Sequence, residues 1–278
     1  MTFQIRFWGV RGSVPTPGTG TLRFGGNTSC VEVRAGNRLL VLDSGTGVIG
    51  LGRGLEKQRS VEVDLLMSHL HWDHIQGFPF FDPAFRSDAL IRIHGGTRFT
   101  DSFERAFAEQ MGGVHHPVPF RTLPAKIEFV DVHAGRKLDL DRDVSVRTVE
   151  LDHPGGSLGY RIEYRGRSVV YATDHEHFSF VDPALLELAR DTDVLIYDAM
   201  YTEDEYLGAV GFHHVGWGHS TWQYGVRTAR EAGAKRLVLF HHDPHHDDTF
   251  LLGVESAARA LFPNTSAAFE GLVIDLDV

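Results

Sequence analysis

Cysteine is nearly absent. The single copy in 278 residues, Cys30, can form no intramolecular disulfide and cannot build a thiolate-rich structural zinc site. Long apolar runs are missing as well, since none approaches the ~20 residues needed to cross a bilayer. Residues 1–6 lack the apolar stretch of a signal peptide. The expectation is a cytoplasmic protein with no membrane partner. Basic charge is scarce, with 27 Lys and Arg against 37 Asp and Glu and a formal net charge of −10, which opposes general attraction to nucleic acid or anionic lipid. An anionic substrate must therefore be gripped locally. There is no repeat, no low-complexity tract and no Pro/Gly/Ser linker, so 1–278 reads as one domain. Its 42% hydrophobic content is enough to bury a real core.

What is abundant is histidine, at 17 copies; it is the commonest metal ligand and the usual acid or base near neutral pH. The glycines gather in turns at 9–13, 25–27, 43–47 and 155–156, so the amino-terminal third reads as strands and tight turns. Short apolar runs predict strands at 63–67, 144–151, 168–172, 194–197 and 237–240. Helical spacing predicts helices at 97–110, 182–190, 221–232 and 248–261, with Gly233 as a stop signal. The alternation in the second half indicates an α/β class. The stretch 109–125, rich in Gly and Pro, reads as an irregular loop and a candidate lid carrying His115 and His116.

The densest chemical signal is Ser68-His69-Leu70-His71-Trp72-Asp73-His74, directly after a strand run. Alternation along an extended segment places His69 and His71 on one side, and a turn would bring Asp73 and His74 to a second point nearby. Two metals suit this better than one. Further ligand types follow other strand runs, in Asp152-His153, Thr173-Asp174, Tyr197-Asp198 and Phe240-His241. Ligands in such sheets gather outside the carboxyl ends of strands. A catalytic zinc uses three protein ligands and an open position.

His-x-His-x-Asp-His followed by separated His, Asp and His resembles the metallo-β-lactamase superfamily. The resemblance implies a four-layer αββα sandwich with metals at one edge of its two sheets. It implies two divalent ions, zinc in the first instance, with manganese or iron compatible. His69, His71 and His153 would hold the first and Asp73, His74 and His241 the second, with Asp174 bridging; His242 is the alternative to His241. His71 stands where the oxygen-reducing di-iron members carry glutamate, which favours hydrolysis over redox chemistry. Asp43 resembles the aspartate that supports the metal histidines. Arg11 and Asn27 lie in turns from which either could meet a phosphate oxygen. His94, His133 and His177 read as surface or turn residues, and His213 and His214 lie near the Gly218 turn.

Three further segments, 153–160, 197–201 and Gly218-His219-Ser220-Thr221, resemble the phosphodiesterase branch, which includes ribonuclease Z and cyclic-phosphate and cyclic-nucleotide phosphodiesterases. That likeness implies an Asp198–His219 pair, with Asp73, Asp198 and His219 catalytic and His219 the proton donor. Taken alone, 218–221 could be a helix start capped by Ser220 or Thr221. Only 154–173 separates His153 from Asp174, leaving no room for the long arm ribonuclease Z commonly inserts there and arguing against a dedicated tRNA-processing role. The expected function is a metal-dependent phosphodiesterase in which a hydroxide shared by two metals attacks a small or cyclic phosphodiester or a short RNA end. A lactone, thioester or β-lactam hydrolase on the same site, or a non-catalytic metal-binding protein, is the alternative; a homodimer is compatible.

Overall fold

The computed structural model describes residues 2–96 and 102–277. One seven-stranded sheet is built from β1 (Phe3–Gly9), β2 (Cys30–Ala35), β3 (Arg38–Leu42), β4 (Glu62–Leu66), β5 (Leu90–Gly95) and β6 (Lys126–Asp131). The other contains β7 (Lys137–Asp139), β8 (Val144–Leu151), β9 (Ser157–Tyr164), β10 (Arg167–Ala172), β11 (Val194–Asp198), β12 (Leu237–Phe240) and β13 (Thr265–Ala267). The last strand, β14 (Val273–Asp275), returns to the first sheet beside β1. The helices are α1 (Gly47–Leu55), α2 (Trp72–Ile75), α3 (Phe103–Ala108), α4 (Pro183–Ala189), α5 (Glu203–Tyr206), α6 (Trp222–Ala232) and α7 (Asp248–Leu261).

Strand periodicity explains the layering. Along β1, Phe3, Ile5 and Phe7 are buried while Gln4, Arg6 and Trp8 are not fully so; the buried set meets Ile162, Tyr171, Ile196 and Phe240 of the facing sheet. Each such side chain contributes about 1.5–3 kcal/mol by leaving water. The outer face of the first sheet packs Val63, Leu65 and Ile93 against Leu51 and Leu55 of α1 and Phe107 of α3. The outer face of the second packs Val170, Leu195 and Leu239 against Leu185, Val226 and Ala258 of α4, α6 and α7. The order is helix, sheet, sheet, helix. Strands β3 to β6 run parallel, as do β10 to β13.

All five expected strands form, within a residue of their expected ends. Of the four expected helices, 182–190, 221–232 and 248–261 appear as α4, α6 and α7. Asp182, Thr221 and Asp247 accept backbone N–H bonds as N-caps, and Gly233 ends α6 in the left-handed region at φ 70°. The expected helix at 97–110 falls partly outside the described residues. Within them it is the short α3, followed by a 3-10 turn at Glu109–Met111. The amino-terminal third departs from expectation by containing α1. Its glycines argue against a helix by propensity, yet a Cβ on Gly47 would come within 2.6 Å of the Gly9 nitrogen, so close backbone approach selects glycine there. In 109–125, Phe120 sits among Phe78, Phe107 and Phe129, which anchors the far half of the loop to the core.

Candidate metal centre

Six strand ends converge on one edge. Asp43 follows β3, the His69–His74 segment follows β4, His153 follows β8, Asp174 follows β10, Asp198 closes β11 and His241 follows β12. Asp43, Asp174 and His241 adopt positive φ of 60°, 47° and 61°, a region that non-glycine residues enter at a cost. At these three positions the backbone turns off its strand and delivers a side chain into the crevice.

Two triads form there. His71 Nδ1 lies 3.0 Å from His153 Nε2, and with His69 these three offer ligand atoms close enough to share an ion. In the second, Asp73 Oδ2 lies 3.2 Å from His74 Nε2 and 3.1 Å from His241 Nε2. Asp174 stands between them. Its Oδ2 is 3.7 Å from both His69 Nε2 and His153 Nε2, and its Oδ1 is 3.2 Å from His74 Nε2 and 3.3 Å from His241 Nε2. All these residues are buried except His71, which is exposed at the mouth.

The opposite ring nitrogens are tied down, which fixes which nitrogen faces inward. His74 Nδ1 donates to Asp43 Oδ2 at 2.8 Å, and His153 Nδ1 donates to the Gly218 carbonyl at 2.7 Å. Asp43 also accepts from Ser68 N, Ser68 Oγ and the Tyr171 hydroxyl, so it supports His74 as expected. His242 turns away, donating from Nε2 to the Ala268 carbonyl at 2.9 Å, and burial pushes its pKa down to about 3. His241 is therefore the member of the pair in the centre.

The chemistry of the donor set suits cations. Among the described residues His69 Nε2 is buried with no hydrogen-bond partner, and burial with the neighbouring His74 holds the His69 pKa well below its ordinary value, which keeps the ring neutral. Burial disfavours ionised Asp174, but the His241, His74 and His69 imidazoles outweigh it and keep the carboxyl well below its usual range. Imidazole and carboxylate without thiolate suit zinc, manganese or iron.

His219 sits beside both triads, its ring 5.2 Å from that of His153 and 5.0 Å from that of His241. Its Nδ1 donates to Asp198 Oδ2 at 2.9 Å. Burial alone would lower the His219 pKa, but Asp198 overrides it and raises the value to about 9. The Asp198 carboxylate is itself oriented by the His175 and Met200 amides.

The residues of the expected site thus come together, but several outlying expectations fail. Arg11 is fully buried and spends its guanidinium on the carbonyls of Gly25, Asp243 and His246; it ties two loops together and faces no phosphate. Asn27 donates to Glu270 from both its side-chain and backbone nitrogens. His94 and His177 are buried, not surface residues: His94 donates to Asp64 at 3.0 Å, and His177 lies against the Tyr224 ring at 3.7 Å. His133 is exposed, as expected. The residue that sequence reasoning missed is Glu176, buried between two histidines, whose neighbours could have drawn attention to it.

A family model described as a β-lactamase superfamily domain matches residues 38–242. The chain belongs to the β-lactamase superfamily. Among superfamily relatives, ribonuclease Z of Bacillus subtilis (strain 168) is 34% identical over 263 residues, covering 79% of this chain and 82% of that one. A ribonuclease Z of Porphyromonas gingivalis is 21% identical, with 99% of each chain covered. The metallo-β-lactamase fold protein YhfI from Bacillus subtilis superposes with a TM-score of 0.72 at 19% identity, covering 99% of each chain. The short form of human tRNase Z superposes with a TM-score of 0.70 at 19% identity, covering 99% of this chain and 100% of that one. These superpositions establish the metallo-β-lactamase fold. Among the described residues, no helix is long and apolar enough to cross a membrane.

Proposed function

We propose that this centre holds two divalent metal ions and hydrolyses phosphodiesters. His69, His71 and His153 hold one ion, and Asp73, His74 and His241 hold the other. Asp174 carries the reading, because its two carboxylate oxygens face different triads. When bound, the ions supply positive charge toward the phosphoryl oxygens and acidity to a water nucleophile near neutral pH. The chain supplies the rest. His219, kept protonated by Asp198, gives its proton to the departing alkoxide oxygen as the P–O bond breaks, a contribution worth roughly 10²–10⁴ in rate. Asp198 fixes the ring so that Nε2 is the nitrogen left for the substrate. Ser13 N donates to Asp73 Oδ2 at 2.8 Å and holds that carboxylate in its triad.

The Asp198–His219 pair favours a phosphodiester over a lactone, thioester or β-lactam, since an alkoxide leaving group gains most from a proton donor. Ribonuclease Z relatives support an RNA end as substrate. The short 154–173 connection and the acidic chain favour a small or cyclic phosphodiester. A panel of a cyclic nucleotide, a short RNA, a bis-aryl phosphate and a lactone, run with and without chelator, tests the assignment. Chelator-sensitive cleavage of phosphodiesters is expected; turnover of the lactone alone would overturn it.

A further inference from the structure

We propose that Glu176 is a positioning residue for this centre, acting on His153 and His219 through the turn at Gly218. The proposal rests on the reading of His153 as a ligand and His219 as the proton donor. Glu176 is 3% exposed. Its Oε1 accepts from Gly216 N at 2.6 Å and from the Tyr206 hydroxyl at 2.7 Å, and its Oε2 accepts from Gly218 N at 2.8 Å. Its own amide donates to the carbonyl of Asp152, the residue before His153, at 2.8 Å. One residue therefore grips both segments between which the His153 ring is held.

The consequence runs through Gly218. Its carbonyl receives the His153 Nδ1 proton, leaving Nε2 to face the ligand cluster. Its φ is +84°, and a Cβ there would strike Pro154 Cδ and His153 Nδ1. No other residue type can bring this carbonyl so close to the ring. The next residue is His219, whose ring must meet Asp198. A shift of the turn would thus move a ligand and the proton donor together. Groups that orient metal ligands from behind change metal affinity or activity 10–100-fold when altered.

Glu176→Gln keeps the volume but replaces one acceptor oxygen with an NH₂. If the carboxamide oxygen serves Gly216 and Tyr206, two donors face each other at Gly218. The test measures zinc affinity by chelator competition, and hydrolysis of phosphodiesters with poor and with activated leaving groups, on the full chain. The variants are Glu176→Gln, His153→Ala and Glu32→Gln. Glu32 is a buried carboxylate on β2 that accepts from the Trp8 indole at 2.7 Å and serves as the structural control. Glu176→Gln is expected to weaken zinc binding about 10–100-fold and to lose more activity on the poor leaving group than on the activated one. Glu32→Gln is expected to lower the melting temperature without either effect. Wild-type zinc affinity and an unchanged leaving-group ratio in Glu176→Gln, whatever its melting temperature, overturn the proposal. Wild-type affinity in His153→Ala overturns the ligand reading and the proposal with it. Should Glu176→Gln not fold, Tyr206→Phe carries the test, since it removes a hydroxyl that holds the Glu176 carboxylate without touching His153 or Gly218: reduced zinc affinity with a changed leaving-group ratio supports the proposal, and wild-type values of both overturn it.

Discussion

Single side chains carry most of the chemical argument, and the histidines show how environment divides one residue type into several roles. His74 is surrounded by Asp174, Asp73 and Asp43, which override burial and raise its pKa well above the ordinary value, whereas His242, next to the centre, has only a backbone acceptor and is driven down. Asp174→Ala removes a carboxylate that meets both triads, and elemental analysis is expected to find its metal content well below the wild type; full occupancy would refute the bridging role. Away from the centre, Glu205 accepts from His246 Nε2 at 2.8 Å. Burial would raise the Glu205 pKa, but His246 and the Thr202 amide pull it from its ordinary 4.5 to about 2. A depressed carboxyl stabilises the fold above its unfolded value and loses that contribution as pH falls toward the folded one. Glu205→Gln should therefore be less stable than wild type at pH 6, with the gap narrowing below about 4.5 in denaturant titrations. A gap that stays constant down to pH 3 would contradict the pairing. The proposed ligand residues were legible because each follows a strand run in sequence. The roles of Arg11 and Glu176 were not, because most of their partners are backbone groups distant in sequence, and nothing local announces a carbonyl 232 residues away.

At the level of elements, the apolar runs and helical spacing located five of the strands and the helices α4, α6 and α7, since each buries one face or both. They failed at α1, where glycine is required by close approach and propensity points the wrong way. The two effects can be separated within that helix. Gly47→Ala places a Cβ against backbone atoms of Trp8 and Gly9, and overpacking of that kind costs about 1–3 kcal/mol, more than alanine's helix advantage of roughly 1 kcal/mol. Gly54→Ala meets only the Trp8 ring at 3.7 Å, an ordinary contact. Thermal unfolding is expected to show the first variant destabilised and the second stabilised; the same sign for both would discard the close-approach explanation. The loop at 109–125 lies beside the site through His115 and Trp72, whose rings are 6.3 Å apart. Phe120 holds its other half in the core.

For the molecule as a whole, a net charge of −10 and an anionic substrate are compatible only if the attraction is local. On the proposed reading, two divalent cations, about +4 together, would more than offset Asp73 and Asp174 and leave a positive pocket in an acidic surface. Binding of this kind involves one phosphate and few released counterions. The KM for a small phosphodiester should change by less than about tenfold between roughly 50 and 200 mM salt, far below the 10³–10⁵ of proteins that neutralise many phosphates. A steep salt dependence would point to an extended basic surface that the sequence lacks. The family was readable because His-x-His-x-Asp-His is a compact local motif, and the αββα layering came with the resemblance that the motif carries, not from the strand runs themselves.

The central claim, metal-assisted phosphodiester hydrolysis with His219 as proton donor, is tested most directly by comparing wild type and His219→Ala across phosphodiesters of graded leaving-group acidity. The account predicts retained metal, a loss of roughly 10²–10⁴ on the poorest leaving groups and a much smaller loss on activated aryl esters. An equal loss at both ends of the series, or none at either, would contradict it.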